Sequence, residues 1–148
     1  MANTEPVKSG ILPAFIDDGI VHYCFMIPSD PKFGGDKPQV AKGIVDPGES
    51  IAQAAVREGE EELGLRSENI KRDVGLLTER VNGTCGPYNL HVFIVEVISM
   101  DDFDFPGFET EESLWLTCDE FTKLGRKEHI NIVRNANNVI TEARIGEK

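Results

Sequence analysis

Basic residues are missing from a long stretch of this chain: between Val81 and Thr122 there is neither Lys nor Arg. The same stretch carries Glu96, Asp101, Asp102, Asp104, Glu109, Glu111, Glu112, Asp119 and Glu120, and the whole chain has a formal net charge of −11. Such a surface repels the phosphate backbone of a duplex or long nucleic acid. A small phosphate-bearing ligand escorted by metal ions is not excluded. Long apolar runs are lacking too. No segment approaches the roughly 18 apolar residues of a membrane span, so no membrane partner is expected. Met1 to Gly10 has no hydrophobic signal-peptide core. Cysteine is sparse: Cys24, Cys85 and Cys118 are odd in number and share no metal-like spacing. That pattern suits a reducing, cytoplasmic setting. Cys85, in a Gly-Thr-Cys-Gly-Pro loop, has no evident positional partner for nucleophilic work and reads as an ordinary loop thiol. No repeat or low-complexity linker interrupts the 148 residues. One domain spanning 1–148 is therefore expected, long enough to bury a core.

What the chain does have is a carboxylate cluster at fixed offsets. From Gly43 it reads a five-residue gap, Glu49, a seven-residue gap, then Arg57-Glu58-Gly59-Glu60-Glu61-Glu62-Leu63-Gly64-Leu65. Asp46-Pro47-Gly48 is a turn signal. Ser50 with Gln53 three residues later forms a capping-box pattern. Ile51 to Leu63 contains no proline and is rich in Ala and Glu, so a helix is predicted there. At about 100° per residue, Ala52, Val56, Gly59 and Leu63 form one stripe, expected to face a core. Glu58, Glu61 and Glu62 form another, because positions three and four apart share a face. Arg57 can reach Glu61 at i+4. Three carboxylates within one turn repel each other unless a cation joins them, and a hard divalent ion takes oxygen ligands.

This stretch resembles the Nudix hydrolase signature, G-x5-E-x7-R-E-U-x-E-E-x-G-U, where U is bulky and apolar. Gly43, Glu49, Arg57, Glu58, Glu61, Glu62, Gly64 and Leu65 match it; Gly59 departs at an apolar position. In a helix that glycine costs roughly 1 kcal/mol relative to Ala unless a neighbouring strand approaches closely. The resemblance implies a Nudix-type α/β/α sandwich with one or more Mg²⁺ or Mn²⁺ ions on the signature helix. It also implies water attack on a phosphorus of a diphosphate bridge. By the motif, Glu61 and Glu62 are expected as metal ligands, Glu58 as ligand or base, and the Gly43 carbonyl as a further ligand. Arg57 is expected to orient the glutamates, and Glu49 to hold the loop and the helix start. Many family members add a carboxylate from a later loop. Glu109, Glu111 and Glu112 stand where that loop is expected, with Glu112 the first choice.

The remainder of the chain supplies a compatible frame. Ile11 to Ile16 and Ile20 to Ile27 flank Asp17-Asp18-Gly19, a hairpin signal. Gln39 to Lys42 reads as a short extended piece, Val74 to Val81 and Tyr88 to Val97 as strands, and Leu114 to Thr117 as a short strand. Asp119 to Leu124 starts a short helix. Ile130, Val133, Ala136, Ile140 and Ala143 have helical spacing within a closing helix over 128–143. The expected class is α+β with a mixed β-sheet.

For the substrate, Lys42 is expected to meet a phosphate oxygen. Phe33 and Tyr88 are candidate stacking surfaces, and Arg80 is a further helper. The Lys42-Gly43 pair is similar to that of dinucleoside polyphosphate hydrolases and RNA pyrophosphohydrolases, with Ala41 replacing their usual preceding proline. Nucleoside triphosphate and ADP-ribose groups more often carry Gly-Gly there. The expected activity is Mg²⁺-dependent cleavage of a diphosphate bond in a nucleoside diphosphate linked to another group. Such substrates include a dinucleoside polyphosphate, ADP-ribose or a nucleoside triphosphate. The alternatives are an RNA 5′-pyrophosphohydrolase and a nucleotide-binding regulatory module that has lost catalysis. The expected partner is a small nucleotide, with a homodimer as a further possibility.

Overall fold

Asp18 and Gly19, both at positive φ, close the first hairpin, as the Asp-Gly pair predicts. The structure is a computed structural model and describes residues 6–33, 35–83, 86–100, 103 and 110–146. The hairpin joins β1 (Val7–Asp17) to β2 (Ile20–Pro28). There follow β3 (Ala41–Ile44), α1 (Ile51–Leu63), β4 (Ile70–Gly83), β5 (Gly86–Val97), β6 (Thr110–Leu116), α2 (Cys118–Leu124) and α3 (Ile130–Gly146). The predicted strands and helices are all present. β6 starts earlier than expected, at Thr110, and a short 3-10 turn over Lys127–His129 precedes α3. No helix among the described residues is long and apolar enough to cross a membrane.

The sheet runs β4-β5-β1-β2-β6, with β3 also paired to β1. β1 runs parallel to β5 over Val7 to Ala14. On its other edge it pairs antiparallel with β3 over Lys8 to Ile11 and with β2 over Ala14 to Asp17. Pro13 falls in the gap between those two ladders, a position that spares that edge the loss of a hydrogen bond. Residues Ser9 to Ala14 are all buried, as expected for a central strand covered on both faces. Leu12, Phe25, Leu90, Val92 and Ile94 pack with Phe121, Ile132, Val133, Ala136 and Ile140 from α2 and α3. Ile11, Cys24, Met26, Val95 and Val97 pack on the other face with Ala55 and Leu63 of α1. The result is an α/β/α sandwich with a mixed sheet.

The apolar stripe expected on α1 needs correction. Ala52 is exposed and Val56 is 55% exposed, whereas Ala54, Ala55, Glu58, Gly59, Glu62 and Leu63 are buried. The helix is rotated so that two glutamates lie inside. The small residues explain the fit: a Cβ on Gly59 would stand 2.7 Å from Ile11 Cγ2 on β1. Gly59 is thus a close-approach glycine, and a bulky side chain there would push α1 off the sheet.

Candidate functional site

Both ends of α1 are built as its sequence dictates. The Gln53 amide donates to Ser50 Oγ at 3.0 Å and the Ser50 amide to Gln53 Oε1 at 2.8 Å. Gly64 closes the helix at φ 76°, where its amide donates to the Glu60 carbonyl, a left-handed cap that glycine adopts at low cost. This frame fixes Glu58 and Glu62, one turn apart, against β3. The Lys42 amide donates to Glu62 Oε1 at 3.0 Å. Gly43 lies directly against the Glu58 carboxylate, and a Cβ there would overlap it.

Arg57 ties the signature together. Its Nε and Nη2 donate to the two Glu49 oxygens at 2.8 and 3.0 Å, a bidentate fork. Nη1 donates to Glu58 Oε2 at 2.8 Å and to Glu61 Oε2 at 3.3 Å, and Nη2 to the Ile44 carbonyl at 3.0 Å. Glu49 also accepts from the Asp46 amide at 3.0 Å. Hydrogen bonding from Arg57 and that amide holds the Glu49 carboxyl down at about 2. Glu49 therefore links loop, Arg57 and helix start.

Burial acts in the opposite direction on the inner pair. It raises Glu62 to about 8, with the Glu58 charge adding to the shift. Glu58 is also raised by burial, with Arg57 opposing. Two buried carboxylates this close favour sharing a proton or receiving a cation. The donor set, two carboxylates over a glycine that leaves room beside its backbone, suits a hard divalent ion such as Mg²⁺ or Mn²⁺. Among the described residues, however, no three acidic, His or Cys side chains already converge on one point. Glu61 is the reason: its side chain is 54% exposed and turned to Arg57. Glu58, Glu62 and Gly43 stand together, while the Glu61 carboxylate is held apart at Arg57.

These residues line one end of a cavity of about 620 Å³, within the range usual for small-ligand sites. Lys42, Gly43, Arg57, Glu58, Glu62 and Tyr88, all predicted from sequence, meet there. Lys8, Lys32 and Arg126 join them, none singled out by sequence. Lys8 is the second residue of the central strand and Arg126 follows α2, so neither sits in a motif. The Lys8 ammonium stands 4.3 Å and that of Lys42 5.7 Å from the Tyr88 ring centroid, cation–π distances. Burial pushes the Lys42 ammonium down to about 8, helped by the charges of Lys8 and Arg126. A chain of strongly negative net charge thus gathers Lys8, Lys32, Lys42, Arg57 and Arg126 in this cavity.

Other expected site residues lie elsewhere. Arg80 is exposed on β4, opposite Asn89 on β5, and is not among the cavity-lining residues. Glu112 is exposed on β6, opposite Ile27, two residues after Thr110, whose hydroxyl donates to the Glu62 carbonyl at 2.8 Å. Glu109 and Cys85, and the side chains of Phe33 and Glu111, lie outside the described residues.

The fold agrees with the comparisons. No curated protein sequence matches the chain. Among solved structures, the chain is similar to an Ap4A hydrolase of C. elegans in a binary complex. The TM-score is 0.80 at 20% identity, with 93% of this chain and 98% of that one covered. It is similar to the Nudix hydrolase RenU of M. smegmatis, with a TM-score of 0.74 at 19% identity over 92% and 88% of the two chains. The NUDIX domain of Shewanella oneidensis NrtR, complexed with ADP ribose, superposes with a TM-score of 0.73 at 10% identity over 94% and 90%. The profile of the NUDIX domain matches residues 22–136. With that match spanning most of the chain and the signature helix folded against β3, this protein belongs to the Nudix family.

Proposed function

We propose that this protein is a metal-dependent hydrolase that cleaves a diphosphate bond in a nucleoside diphosphate linked to another group. The observation that carries the reading is the pairing, in one cavity, of the buried Glu58 and Glu62 carboxylates with the cations Lys8, Lys42 and Arg126. The acidic end suits Mg²⁺ or Mn²⁺, held by Glu58, Glu62 and the Gly43 carbonyl, with Glu61 recruited. A bound ion of this kind supplies a more acidic water and shields the phosphate charge. The chain's own residues do the rest. Lys42, Lys8 and Arg126 bind phosphate oxygens and draw the anionic substrate in. Arg57 holds Glu58 in place, and Glu58 accepts the proton of the attacking water. The water oxygen bonds to phosphorus as the bridging P–O bond breaks, leaving two phosphate-bearing products. Tyr88 forms the wall beside the phosphates. Glu112, exposed on β6, is the first choice for the assisting later carboxylate.

A dinucleoside polyphosphate heads the list of substrates. The Lys42-Gly43 pair and the likeness to the C. elegans Ap4A hydrolase support it. The test is a Mg²⁺-dependent assay over dinucleoside polyphosphates, ADP-ribose, NADH, FAD, nucleoside triphosphates and triphosphorylated RNA. Turnover confined to triphosphorylated RNA would establish the RNA pyrophosphohydrolase. No turnover together with tight nucleotide binding would establish the regulatory module. Glu61→Gln and Glu62→Gln should each cut the rate strongly with the fold intact. Near-normal activity in either removes that residue from the metal site. Comparing Glu109→Gln, Glu111→Gln and Glu112→Gln identifies the assisting carboxylate by the largest loss.

A further inference from the structure

The connection between α2 and α3 is pinned to the segment that leads into Lys42 and Gly43. The Arg126 amide donates to the Pro38 carbonyl at 2.8 Å, and Arg126 Nη1 donates to Gln39 Oε1 at 3.1 Å. The Val40 amide donates to His129 Nδ1 at 3.2 Å. The other ring nitrogen, Nε2, lies 3.2 Å from the Tyr88 hydroxyl. His129 is fully buried. Burial and the charges of Lys42, Arg126 and Lys8 hold it well below the usual histidine range, hence neutral. A neutral imidazole that accepts at Nδ1 carries its hydrogen on Nε2, so this tautomer follows from the Val40 bond. Nε2–H then donates to the Tyr88 oxygen. One uncharged ring therefore ties Tyr88 of β5 to Val40, two residues before Lys42.

We infer that His129 is a positioning residue for phosphate binding: through Tyr88 and Val40 it sets where the Lys8 and Lys42 ammonium groups stand in the cavity. The Tyr88 ring is the surface both ammonium groups face, at 4.3 and 5.7 Å. Lys8, Lys42 and Arg126 repel one another, so their spacing depends on a wall that does not turn. A lost bond at the Tyr88 hydroxyl frees that ring to shift. A lost bond at Val40 loosens the strand that carries Lys42. A cationic side chain in place of the neutral imidazole would add to the repulsion. This inference rests on the reading of the cavity as a phosphate site, and it adds a residue that makes no contact with substrate itself.

The test measures binding of inorganic tripolyphosphate in EDTA by calorimetry, independent of turnover and of metal. The proteins are wild type, His129→Asn, Tyr88→Phe and the double variant. His129→Asn keeps an acceptor near Val40 but cannot reach Tyr88; Tyr88→Phe removes the same bond from the other side. Each single variant should raise Kd roughly tenfold, the scale of one misplaced cation–π contact. The double variant should be no weaker than either single one, because both remove one coupling. A histidine that served only the core would lower Tm while leaving the Kd of the folded protein unchanged. Wild-type Kd in folded His129→Asn and Tyr88→Phe overturns the inference. If His129→Asn does not fold, Tyr88→Phe decides by the same criterion. If wild type itself does not bind tripolyphosphate, the phosphate reading of the cavity fails, and this inference with it.

Discussion

Gly43 lies so close beneath the Glu58 carboxylate that a Cβ at Gly43 would occupy the carboxylate's position. The first residue of the signature is therefore a steric requirement of the sixteenth. Gly43→Ala should displace Glu58 and reduce the hydrolytic rate by about 10²-fold, the scale of a 1 Å misplacement in an active site. The loss should exceed that of Gly48→Ala, since nothing lies within 4 Å of a Cβ at Gly48 although its φ of +82° strains the substitution. Steady-state kinetics with thermal melts of both variants check this. A Gly43→Ala enzyme of normal rate would remove the packed Gly43–Glu58 pair from the mechanism.

The Gly59 position should show coupling to β1. Alanine there gains about 1 kcal/mol of helix propensity. It also presses on Ile11 Cγ2, an overpacking that costs about 1–3 kcal/mol. Net destabilisation is expected, lowering Tm by a few degrees for a chain of this size, at about 2–4 °C per kcal/mol. In an Ile11→Ala background the same change should be neutral or stabilising, because the methyl group it meets is gone. Urea unfolding of the four proteins in this cycle measures the coupling.

Arg57→Lys should separate charge from geometry. Lysine retains the cation but cannot form the fork to both Glu49 oxygens while also reaching Glu58. A roughly tenfold or larger loss in kcat is expected, with a smaller effect on KM, because Arg57 holds the Glu58 carboxylate in place. Equal loss in Arg57→Lys and Arg57→Met would instead show that the fork is essential and the charge alone contributes nothing.

Two groups give acid sensitivity in different windows. His129 is neutral in the folded protein, facing Lys8, Lys42 and Arg126 as well as Tyr88, and its pKa is far below 6.5. Unfolding lets it take up a proton, so stability falls as pH drops below about 6.5. The unfolding free energy of His129→Asn should decline less steeply between pH 7 and 5 than that of wild type. Glu49 behaves as a depressed carboxylate. Its contribution is present above about 4.5 and is lost as pH falls towards about 2. The stability gap between wild type and Glu49→Gln should close over that lower window. Denaturant unfolding across the pH series checks both.

Local chemistry was legible in the chain itself. Ser50, Gln53 and Gly64 specify the ends of α1 through hydrogen bonds that span a few residues. Asp18-Gly19 specifies the first hairpin by positive φ. The spacing from Gly43 to Leu65 pointed to the clustered carboxylates and to the Arg57 that ties them together. Burial was less legible. The periodic stripe Ala52–Val56–Gly59–Leu63 suggested one inward face, yet Val56 lies outside and Glu58 and Glu62 inside. Periodicity describes which residues share a face, but the packing partner decides which face is buried. Here β3 offers the Lys42 amide to Glu62 and an open glycine to Glu58, while Ile11 fits against Gly59. A polar face can turn inward when its groups find such partners.

The sequence by itself determined the elements, the signature and the acidic character of this Nudix protein, because those follow from near-neighbour hydrogen bonding and residue type. Only the tertiary structure decided that Lys8, Lys42, Tyr88 and Arg126 share one cavity with Glu58 and Glu62, and that the buried His129 meets the hydroxyl of Tyr88 in its wall. Those residues are separated by up to 121 positions, His129 minus Lys8. They meet because β1 runs beside both β3 and β5, and because the Arg126–His129 connection returns to Pro38, Gln39 and Val40. No spacing rule along the chain encodes such a meeting, since it arises from strand order and the burial of two opposite faces of one sheet.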